Sequence, residues 1–188
     1  MFTGLIEERG RVGAFERSKS GYRLVVEATR VLEGLEQGDS IAIDGCCLTG
    51  VEWTEDTISF DLLEETVRCT HFGDLVAGME VNLERSLRYG GKMGGHFVSG
   101  HIDTVGTVTV FEQREDVYLE ISIPQMFERY LISKGSIAID GISLTVAELC
   151  EGGFAVCLIP HTLAVTTING YTVGRRVNLE FDLLGKYV

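Results

Sequence analysis

The chain of 188 residues lacks the features that mark several classes of protein. It contains no run near the ~18 apolar residues that a membrane-spanning helix needs. Charges begin at Glu7 in MFTGLIEERGRV, so we expect no signal peptide. Basic residues form no cluster larger than GRR at 174–176, and the formal net charge is −12, which argues against nucleic-acid and anionic-lipid partners. These absences favour a cytoplasmic protein with neither nucleic acid nor membrane among its partners.

Cysteine and histidine occur without the spacings of a metal site. The five cysteines include no CxxC pair, and the adjacent Cys46 and Cys47 face opposite sides of an extended strand. His96 and His101 stand five residues apart, which differs from the i, i+4 spacing of a helical zinc site. We therefore expect no metal site and no disulfide framework, with most of the cysteines acting as small buried hydrophobes.

One phrase occurs twice in the chain. The sequence reads SIAIDGCCLTG from residue 40 and SIAIDGISLTV from residue 136, an offset of 96 residues. The same offset aligns GLIEERGRV at 4 with GHIDTVGTV at 100, and GMEVNLE at 78 with GRRVNLE at 174. A period of this length is too long for a solenoid unit, so the repeat indicates a duplicated domain.

Each half has the pattern of an all-β domain. Short segments such as RLVVEA, DTISFDL, VYLEISI and GFAVCLI alternate apolar and polar residues between Gly, Asp, Asn and Ser. Only two prolines occur, and 23 glycines are available for corners and bulges. About six strands in ~90 residues need closure to hide their edges, which predicts a six-stranded antiparallel Greek-key barrel in each half. Brief helices are expected near ATRVLEGL, LEETVRCTHF and PQMFERYLI, and the Gly-rich segment 86–96 separates domain 1–96 from domain 97–182.

Positions shared by the halves are predicted to be structural or to bind a common ligand, and unshared polar positions are candidates for chemistry. Asp44-Gly45 and Asp140-Gly141 are shared turn signals. Thr49 and Thr145 follow them and are predicted to aim hydroxyl groups into a barrel mouth. The unshared pairs are Cys47 with Ser143, Leu5 with His101, Gly38 with Lys134 and Glu65 with His161. For each histidine, a structural role and a functional role stay open.

Several stretches together carry a resemblance to one family. GCCLT, FDLLEET, GGHFVSGHIDTVG, KGSIAIDGISLTV, LIPHTL and VNLEFDLLGKYV, with the opening MFTGLIEERGRV, resemble the riboflavin synthase family in order and spacing. The resemblance implies an enzyme that moves a four-carbon unit between two molecules of 6,7-dimethyl-8-ribityllumazine, the last step of riboflavin biosynthesis. The products are riboflavin and 5-amino-6-(D-ribitylamino)uracil, and no cofactor or metal is implied.

The resemblance also implies an assembly. It predicts a homotrimer in which the N-terminal barrel of one subunit faces the C-terminal barrel of the next, with two substrate molecules between them. Lumazine synthase is a further expected partner. Residues 183–188 resemble the first turn of the C-terminal helix through which the family trimerises, and we expect the rest of that helix to be missing from this chain.

Site residues follow from the same resemblance. The candidate catalytic residues are His101 as proton carrier, Lys134 as charge stabiliser, Cys47 and Ser143, with Ser40, His96 and Asp182 in support. The nucleophile is either Cys47 or a bound water. The N-barrel pocket is assigned Gly4, Leu5, Ile6, Cys47, Leu48, Thr49, Asp61, Leu62, Leu63, Glu64, Glu65 and Thr66. The C-barrel pocket is assigned Gly100, His101, Ile102, Lys134, Ser143, Leu144, Thr145, Ile159, Pro160, His161, Thr162, Leu163 and Ala164.

The sequence departs from the family pattern at two further places, and two other interpretations compete. Gly50 stands opposite Val146, where an apolar residue is expected, and His161 stands where an acidic residue is common. A non-catalytic lumazine- or flavin-binding accessory protein has the same duplicated barrel, but such proteins tend to lose polar residues from one pocket. The flavin-binding barrel of a reductase would need a nucleotide-binding domain, for which 188 residues leave no room.

Overall fold

The structure, a computed structural model, describes residues 1–19, 21–114 and 116–188. In these ranges twelve antiparallel strands form two closed barrels, with strand orders β1-β2-β5-β4-β3-β6 and β10-β11-β8-β7-β12-β9. The N-terminal barrel contains β1 (Glu8–Ser18), β2 (Gly21–Glu27), β3 (Ser40–Ile43), β4 (Cys46–Trp53), β5 (Thr57–Leu62) and β6 (Glu80–Arg85). The C-terminal barrel contains β7 (Thr104–Gln113), β8 (Val117–Ser122), β9 (Ser136–Ile139), β10 (Ile142–Cys150), β11 (Gly153–Leu158) and β12 (Arg176–Phe181).

Helical structure is short, as the sequence predicts. Within the described ranges the helices are α1 (Glu64–Cys69), α2 (Pro160–Val165) and α3 (Leu183–Tyr187). Single 3₁₀ turns cover Arg30–Leu32, His71–Asp74, Gln125–Tyr130 and Thr167–Gly170. The all-β duplicated barrel is therefore confirmed, and among the described residues no helix is both long and apolar enough to cross a membrane.

The repeated Asp-Gly pair closes the same hairpin in both barrels. Asp44 and Gly45 join β3 to β4 with φ angles of 41° and 80°, and Asp140 and Gly141 join β9 to β10 with 43° and 79°. A two-residue hairpin with both φ angles positive matches the right-handed twist of its strands, and Asp-Gly is a preferred sequence for it. The predicted turns are confirmed.

Each barrel is filled by its own side chains. The N-terminal core packs around Phe60, Phe72 and Leu83, and the C-terminal core packs around Phe154 and Phe181. A small third cluster of Phe2, Ala42, Val98 and Ala138, with Cys47 against it, joins the two barrels. Burying apolar surface contributes roughly 25 cal/mol per Å². Among the described residues, the interior of each barrel is therefore filled by apolar side chains.

The chain exchanges segments between the barrels. Phe2 and Val98 pair as an antiparallel bridge, with N···O distances of 2.7 and 3.2 Å. Beyond that bridge Ile6 packs on the C-terminal core, whereas Ile102 packs on the N-terminal core. The segment that precedes the first strand of each barrel therefore packs on the other barrel, so the two halves are interlocked.

The cysteines differ from expectation. Cys46 is buried in the N-terminal core, but Cys47, Cys69 and Cys150 are half-buried and Cys157 is exposed. All five are free thiols. The expectation that most would be buried hydrophobes is wrong. Alternation along a strand turns Cys47 and Cys157 outward, and Cys69 lies at the end of the surface helix α1.

Candidate functional site

The repeated phrase builds two equivalent faces on the outside of the barrels. In β4, Cys46 and Leu48 point into the N-terminal core, so Cys47 and Thr49 face outward. In β10, Ile142 is buried and Thr145 is exposed on the opposite side. The prediction that the threonines line a barrel mouth is wrong, since the interior is occupied by core side chains.

Both faces lie where two strands separate. β4 and β5 pair from Trp53–Ile58 to Gly50–Phe60, and β10 and β11 pair from Cys150–Gly153 to Val146–Val156. Beyond the last pair, the described residues on the two sides are the segments assigned to substrate binding. Unpaired strand edges offer backbone N–H and C=O groups to a ligand. We name the slot beside Cys47 the cysteine face and the slot beside Ser143 the serine face.

A glycine from the exchanged segment closes over each face. The Cys47 N–H donates to Gly100 O at 2.8 Å, and the Ser143 N–H donates to Gly4 O at 2.8 Å. A Cβ on Gly100 would lie 2.5 Å from Cys47 Cβ, and one on Gly4 would lie 2.6 Å from Ser143 Cβ. Both glycines also have positive φ, 86° and 76°. Only glycine fits this close approach without strain.

These contacts correct the grouping of the predicted pockets. Gly4, Leu5 and Ile6 were assigned to the N-barrel pocket, yet they lie against Ser143 and the C-terminal core. Gly100, His101 and Ile102 were assigned to the C-barrel pocket, yet they lie against Cys47 and the N-terminal core. The grouping is wrong because each segment crosses to the other barrel before its own first strand begins.

A buried glutamate holds each crossing segment. Glu180 accepts from Ser99 N at 2.6 Å, Ser99 Oγ at 2.7 Å and Gly100 N at 2.9 Å. Glu84 accepts from Thr3 N at 2.7 Å, Thr3 Oγ1 at 2.8 Å and Gly4 N at 3.0 Å. Burial raises the pKa of Glu84, although these donors oppose the rise. Sequence reasoning missed both glutamates, although the repeated VNLE contained the signal.

On the serine face, the ring of His96 approaches the hydroxyl group of Ser143. His96 Nδ1 lies 2.7 Å from Ser143 Oγ. Burial lowers the pKa of His96, and the Asp182 carboxylate opposes the change only in part. A neutral ring can accept the hydroxyl proton of Ser143, the arrangement of a general base beside a nucleophile or proton donor.

Lys134 has a positive φ angle, a backbone conformation that residues other than glycine rarely adopt. Its φ is 65°, and its counterpart in the first half is Gly38 with φ 95°. Its Nζ donates to Ala147 O at 3.0 Å, on the strand that carries Ser143 and Thr145. Strain of this kind costs about 1–3 kcal/mol and occurs preferentially at functional positions, which supports Lys134 as a candidate.

The remaining predicted residues fall into two groups. His101 is exposed beside Gly100, and Ser40 pairs with Thr49 across the β3–β4 hairpin. Asp182 caps α3 by accepting from Leu184 N at 3.1 Å. Asp61 is held by Arg23 at 3.1 Å, a partner that sequence reasoning missed. Regrouped by these contacts, the predicted residues on the side of Cys47 are Cys47, Leu48, Thr49, Asp61, Leu62, Leu63, Glu64, Glu65, Thr66, Gly100, His101 and Ile102, and those on the side of Ser143 are Gly4, Leu5, Ile6, His96, Lys134, Ser143, Leu144, Thr145, Ile159, Pro160, His161, Thr162, Leu163 and Ala164. Of the first group, Leu48, Leu62 and Ile102 belong to or pack against the N-terminal core, so their side chains point away from the face.

Comparison with known proteins assigns this arrangement to a class. A model of the lumazine binding domain matches residues 3–86 and again residues 99–182. A crystal structure of LumP complexed with riboflavin is 28% identical with a TM-score of 0.87, and it covers 96% of this chain and 99% of that one. A crystal structure of LumP complexed with 6,7-dimethyl-8-(1'-D-ribityl)lumazine is 26% identical with a TM-score of 0.86, and it also covers 96% of this chain and 99% of that one. The chain therefore belongs to the class of proteins built from two lumazine binding domain repeats.

Full-length relatives narrow the class to a family. The riboflavin synthase of Bacillus subtilis is 40% identical over 189 residues, covering 100% of this chain and 88% of the relative. The riboflavin synthase of Mycobacterium bovis is 42% identical over 193 residues, covering 100% of this chain and 96% of the relative. The chain belongs to the riboflavin synthase family of transferases.

Proposed function

We propose that the protein catalyses the dismutation of 6,7-dimethyl-8-ribityllumazine. One molecule donates the four-carbon unit made of C6, C7 and their two methyl groups, and the other accepts it. Riboflavin and 5-amino-6-(D-ribitylamino)uracil are formed with no external oxidant. The observation that carries the proposal is the pair of like faces with unlike chemistry: the same strands, glycine and glutamate occur in both, but a thiol faces one slot and a His96–hydroxyl pair faces the other.

The exposed apolar side chains support a site completed by a second copy. Leu63 and Ile159 are equivalent in the repeat, and they are 67% and 60% exposed beside their faces. Leu5 is 47% exposed at the serine face. Apolar side chains at this level of exposure suit contact with a heterocycle or a neighbouring subunit. We therefore propose a homotrimer in which the cysteine face of one subunit meets the serine face of the next.

The chemistry follows from the acidity of the substrate. The anion of the C7 methyl group is delocalised over the pteridine ring, so a modest base can form it. A nucleophile adding at C7 of the second molecule prepares the coupling, and Cys47 or a bound water is the proposed nucleophile. His101 carries protons and Lys134 stabilises charge. Holding two rings in register can supply roughly 7–11 kcal/mol of the barrier, and proton transfer adds about 10²–10⁴-fold in rate.

A lumazine-binding accessory protein is the second candidate. LumP, whose complexes with the lumazine and with flavin mononucleotide are known, shares the fold at TM-scores of 0.86 and 0.85. Cys47, His101 and Lys134 give both faces polar chemistry, which favours the enzyme. As an enzyme of riboflavin biosynthesis it would act in the cytoplasm, with lumazine synthase as an expected supplier of its substrate.

A turnover assay tests the proposal. Purified protein is mixed with the lumazine, riboflavin fluorescence is followed, and the mass in solution is measured on the same sample. Production of riboflavin and 5-amino-6-(D-ribitylamino)uracil in equal amounts supports the proposed enzymatic activity. Stoichiometric binding without turnover supports the accessory protein, and absence of binding at millimolar substrate contradicts both.

A further inference from the structure

A polar cluster lies buried where the two Asp-Gly turns meet. A Cβ on Gly45 would lie 2.7 Å from Gly141 N, so the two hairpins touch back to back. Asn82 Nδ2 donates to Asp140 O and Asn178 Nδ2 donates to Asp44 O, both at 3.0 Å. The bonds repeat with the internal symmetry of the chain. The junction between the barrels is therefore polar at its centre.

His71 breaks the symmetry of this junction. Its N–H donates to Asn178 Oδ1 at 2.8 Å, just as the N–H of its counterpart Thr167 donates to Asn82 Oδ1 at 2.9 Å. The imidazole Nε2 lies 3.3 Å from Asp44 Oδ2 and 3.3 Å from Asp140 Oδ1. The three side chains are 3%, 0% and 0% exposed. One imidazole and two carboxylates from both halves of the chain thus converge in a dry site.

Among the described residues, two of the three donor atoms have no hydrogen-bond partner, and the third, Asp140 Oδ1, accepts from Asn178 N at 2.6 Å and keeps a second lone pair for a ligand. Within the described ranges, neither Asp44 Oδ2 nor His71 Nε2 makes a hydrogen bond. Charge-assisted N–H···O⁻ bonds are ordinarily about 2.7–2.9 Å, which is shorter than these separations. Donors bound to Zn²⁺ at about 2.0–2.2 Å in a tetrahedron are separated by roughly 3.3–3.5 Å. The two separations from His71 Nε2 to the carboxylates match edges of a metal tetrahedron more closely than they match an ion pair, and the two carboxylate oxygens lie within 4.8 Å of each other.

Neighbouring groups orient the donors. Asp44 Oδ1 accepts from Asn82 N at 2.7 Å, and Asp140 Oδ2 accepts from Tyr171 Oη at 2.5 Å. Such outer contacts fix the direction of a ligating carboxylate. A cavity of roughly 240 Å³ is lined by His71, Leu75, Glu80 and Arg175 among others but not by Asp44 or Asp140, so an ion would approach the carboxylates from the side of His71.

We propose that Asp44, His71 and Asp140 bind a divalent transition metal ion of the Zn²⁺ type. All three donor atoms lie within 4.8 Å of one another. Two carboxylates, an imidazole and a water form a donor set that Zn²⁺ accepts. Arg175 Nη2, at 3.9 Å from Asp140 Oδ2, offsets one carboxylate charge and leaves one for the cation. The ion fastens the two barrels together and has no part in the lumazine chemistry.

Metal titration of the full chain tests the proposal. The protein is stripped with EDTA, Zn²⁺ is added in competition with a chromophoric chelator, and Co²⁺ is used as a spectroscopic probe. We expect one Zn²⁺ per chain, intense visible bands of four-coordinate Co²⁺ without a thiolate charge-transfer band, and a metal-dependent rise in Tm. Asp44→Asn and His71→Asn should each weaken Zn²⁺ binding more than about tenfold, since even outer contacts of a ligand are worth that much.

Matched variants distinguish this site from binding of the ion elsewhere on the chain. Asp44→Asn keeps the Oδ1 acceptor for Asn82 N, so its Tm in EDTA reports whether the fold is intact. Asp74→Asn, on the rim of the same cavity, should leave the affinity unchanged. Zn²⁺ binding that survives both site variants, or a Co²⁺ spectrum with thiolate character, would place the ion on cysteines and overturn the proposal. No Zn²⁺ bound at micromolar free metal would also overturn it, leaving a proton on His71 as the occupant.

Discussion

The cysteine face and the serine face have the same walls and different chemistry. Both are formed by a strand from SIAIDG, a crossing glycine and a buried glutamate, and corresponding hydrogen bonds agree within 0.1 Å. They differ at Cys47 and Ser143, at His101 and Leu5, and in the presence of His96 on one side only. Duplication therefore preserved what holds a ligand, and the two copies diverged in the groups that would react with it.

Replacing His101 with leucine, the residue at the equivalent position in the first half, should give the largest loss of activity. His101→Leu places on the cysteine face the residue that Leu5 provides on the serine face. Loss of a proton carrier is expected to lower kcat by about 10²–10⁴-fold with little change in Tm, because His101 is exposed. Steady-state riboflavin formation measures it, with Gln113→Leu as a surface control. Unchanged kcat would remove the role assigned to His101.

The crossing glycines should be the next most sensitive positions. Gly100→Ala and Gly4→Ala each add a Cβ within 2.6 Å of another Cβ at positive φ. Overpacking and backbone strain together should cost about 2–4 kcal/mol in free energy of unfolding. Gly78→Ala is the matched control, because its φ is 92° but nothing lies within 4 Å of the added Cβ. Urea unfolding of the three variants separates strain from crowding, and equal losses in all three would show that the close approach contributes nothing.

The two buried glutamates should have equal effects if the faces share one support. Glu84→Gln and Glu180→Gln keep the side-chain shape but turn an amide group toward N–H donors. Each should cost about 1–3 kcal/mol in unfolding free energy, the penalty for buried donors left without a good acceptor. Glu55→Gln, exposed in a turn, should be neutral. Chemical unfolding gives the values, and a loss confined to one glutamate would mean that only one crossing segment is held this way.

In metal-free protein, His71 at the junction between the barrels should make stability depend on pH. This effect should be smaller than the effects of the glutamate substitutions. Burial of the His71 ring opposes protonation, but Asp140 and Asp44 outweigh it and raise the pKa to about 10. The stabilisation is full below the unfolded value near 6.5 and is lost as pH rises through about 10. Burial and the Asp140 charge also raise the pKa of Asp44, and this shift has the same sign, because its contribution to stability is likewise lost as pH rises. We expect a net loss of about 1 kcal/mol across that range relative to His71→Asn. Urea unfolding at several pH values in EDTA checks it, and a flat difference would contradict a charged His71.

The sequence predicted the fold because its signals are local. Alternation, Asp-Gly turns and the 96-residue offset specify two barrels, and strand-period alternation could also have shown that Cys47 faces outward. The exchange of Gly4 and Gly100 between faces was missed, because which barrel a segment covers depends on long-range packing of Phe2 against Val98. The Asp44–His71–Asp140 cluster was missed for the same reason, since its members are far apart in sequence.

Subunit mixing tests most directly whether the two faces act together across copies of the chain. His101→Leu damages the cysteine face and Ser143→Ala damages the serine face, so each variant alone should have little activity. Refolded together, the two variants should recover activity at about a quarter of the sites, where an intact face of each kind meets by random assembly. A mixture no more active than the sum of its two components would contradict a site shared between subunits.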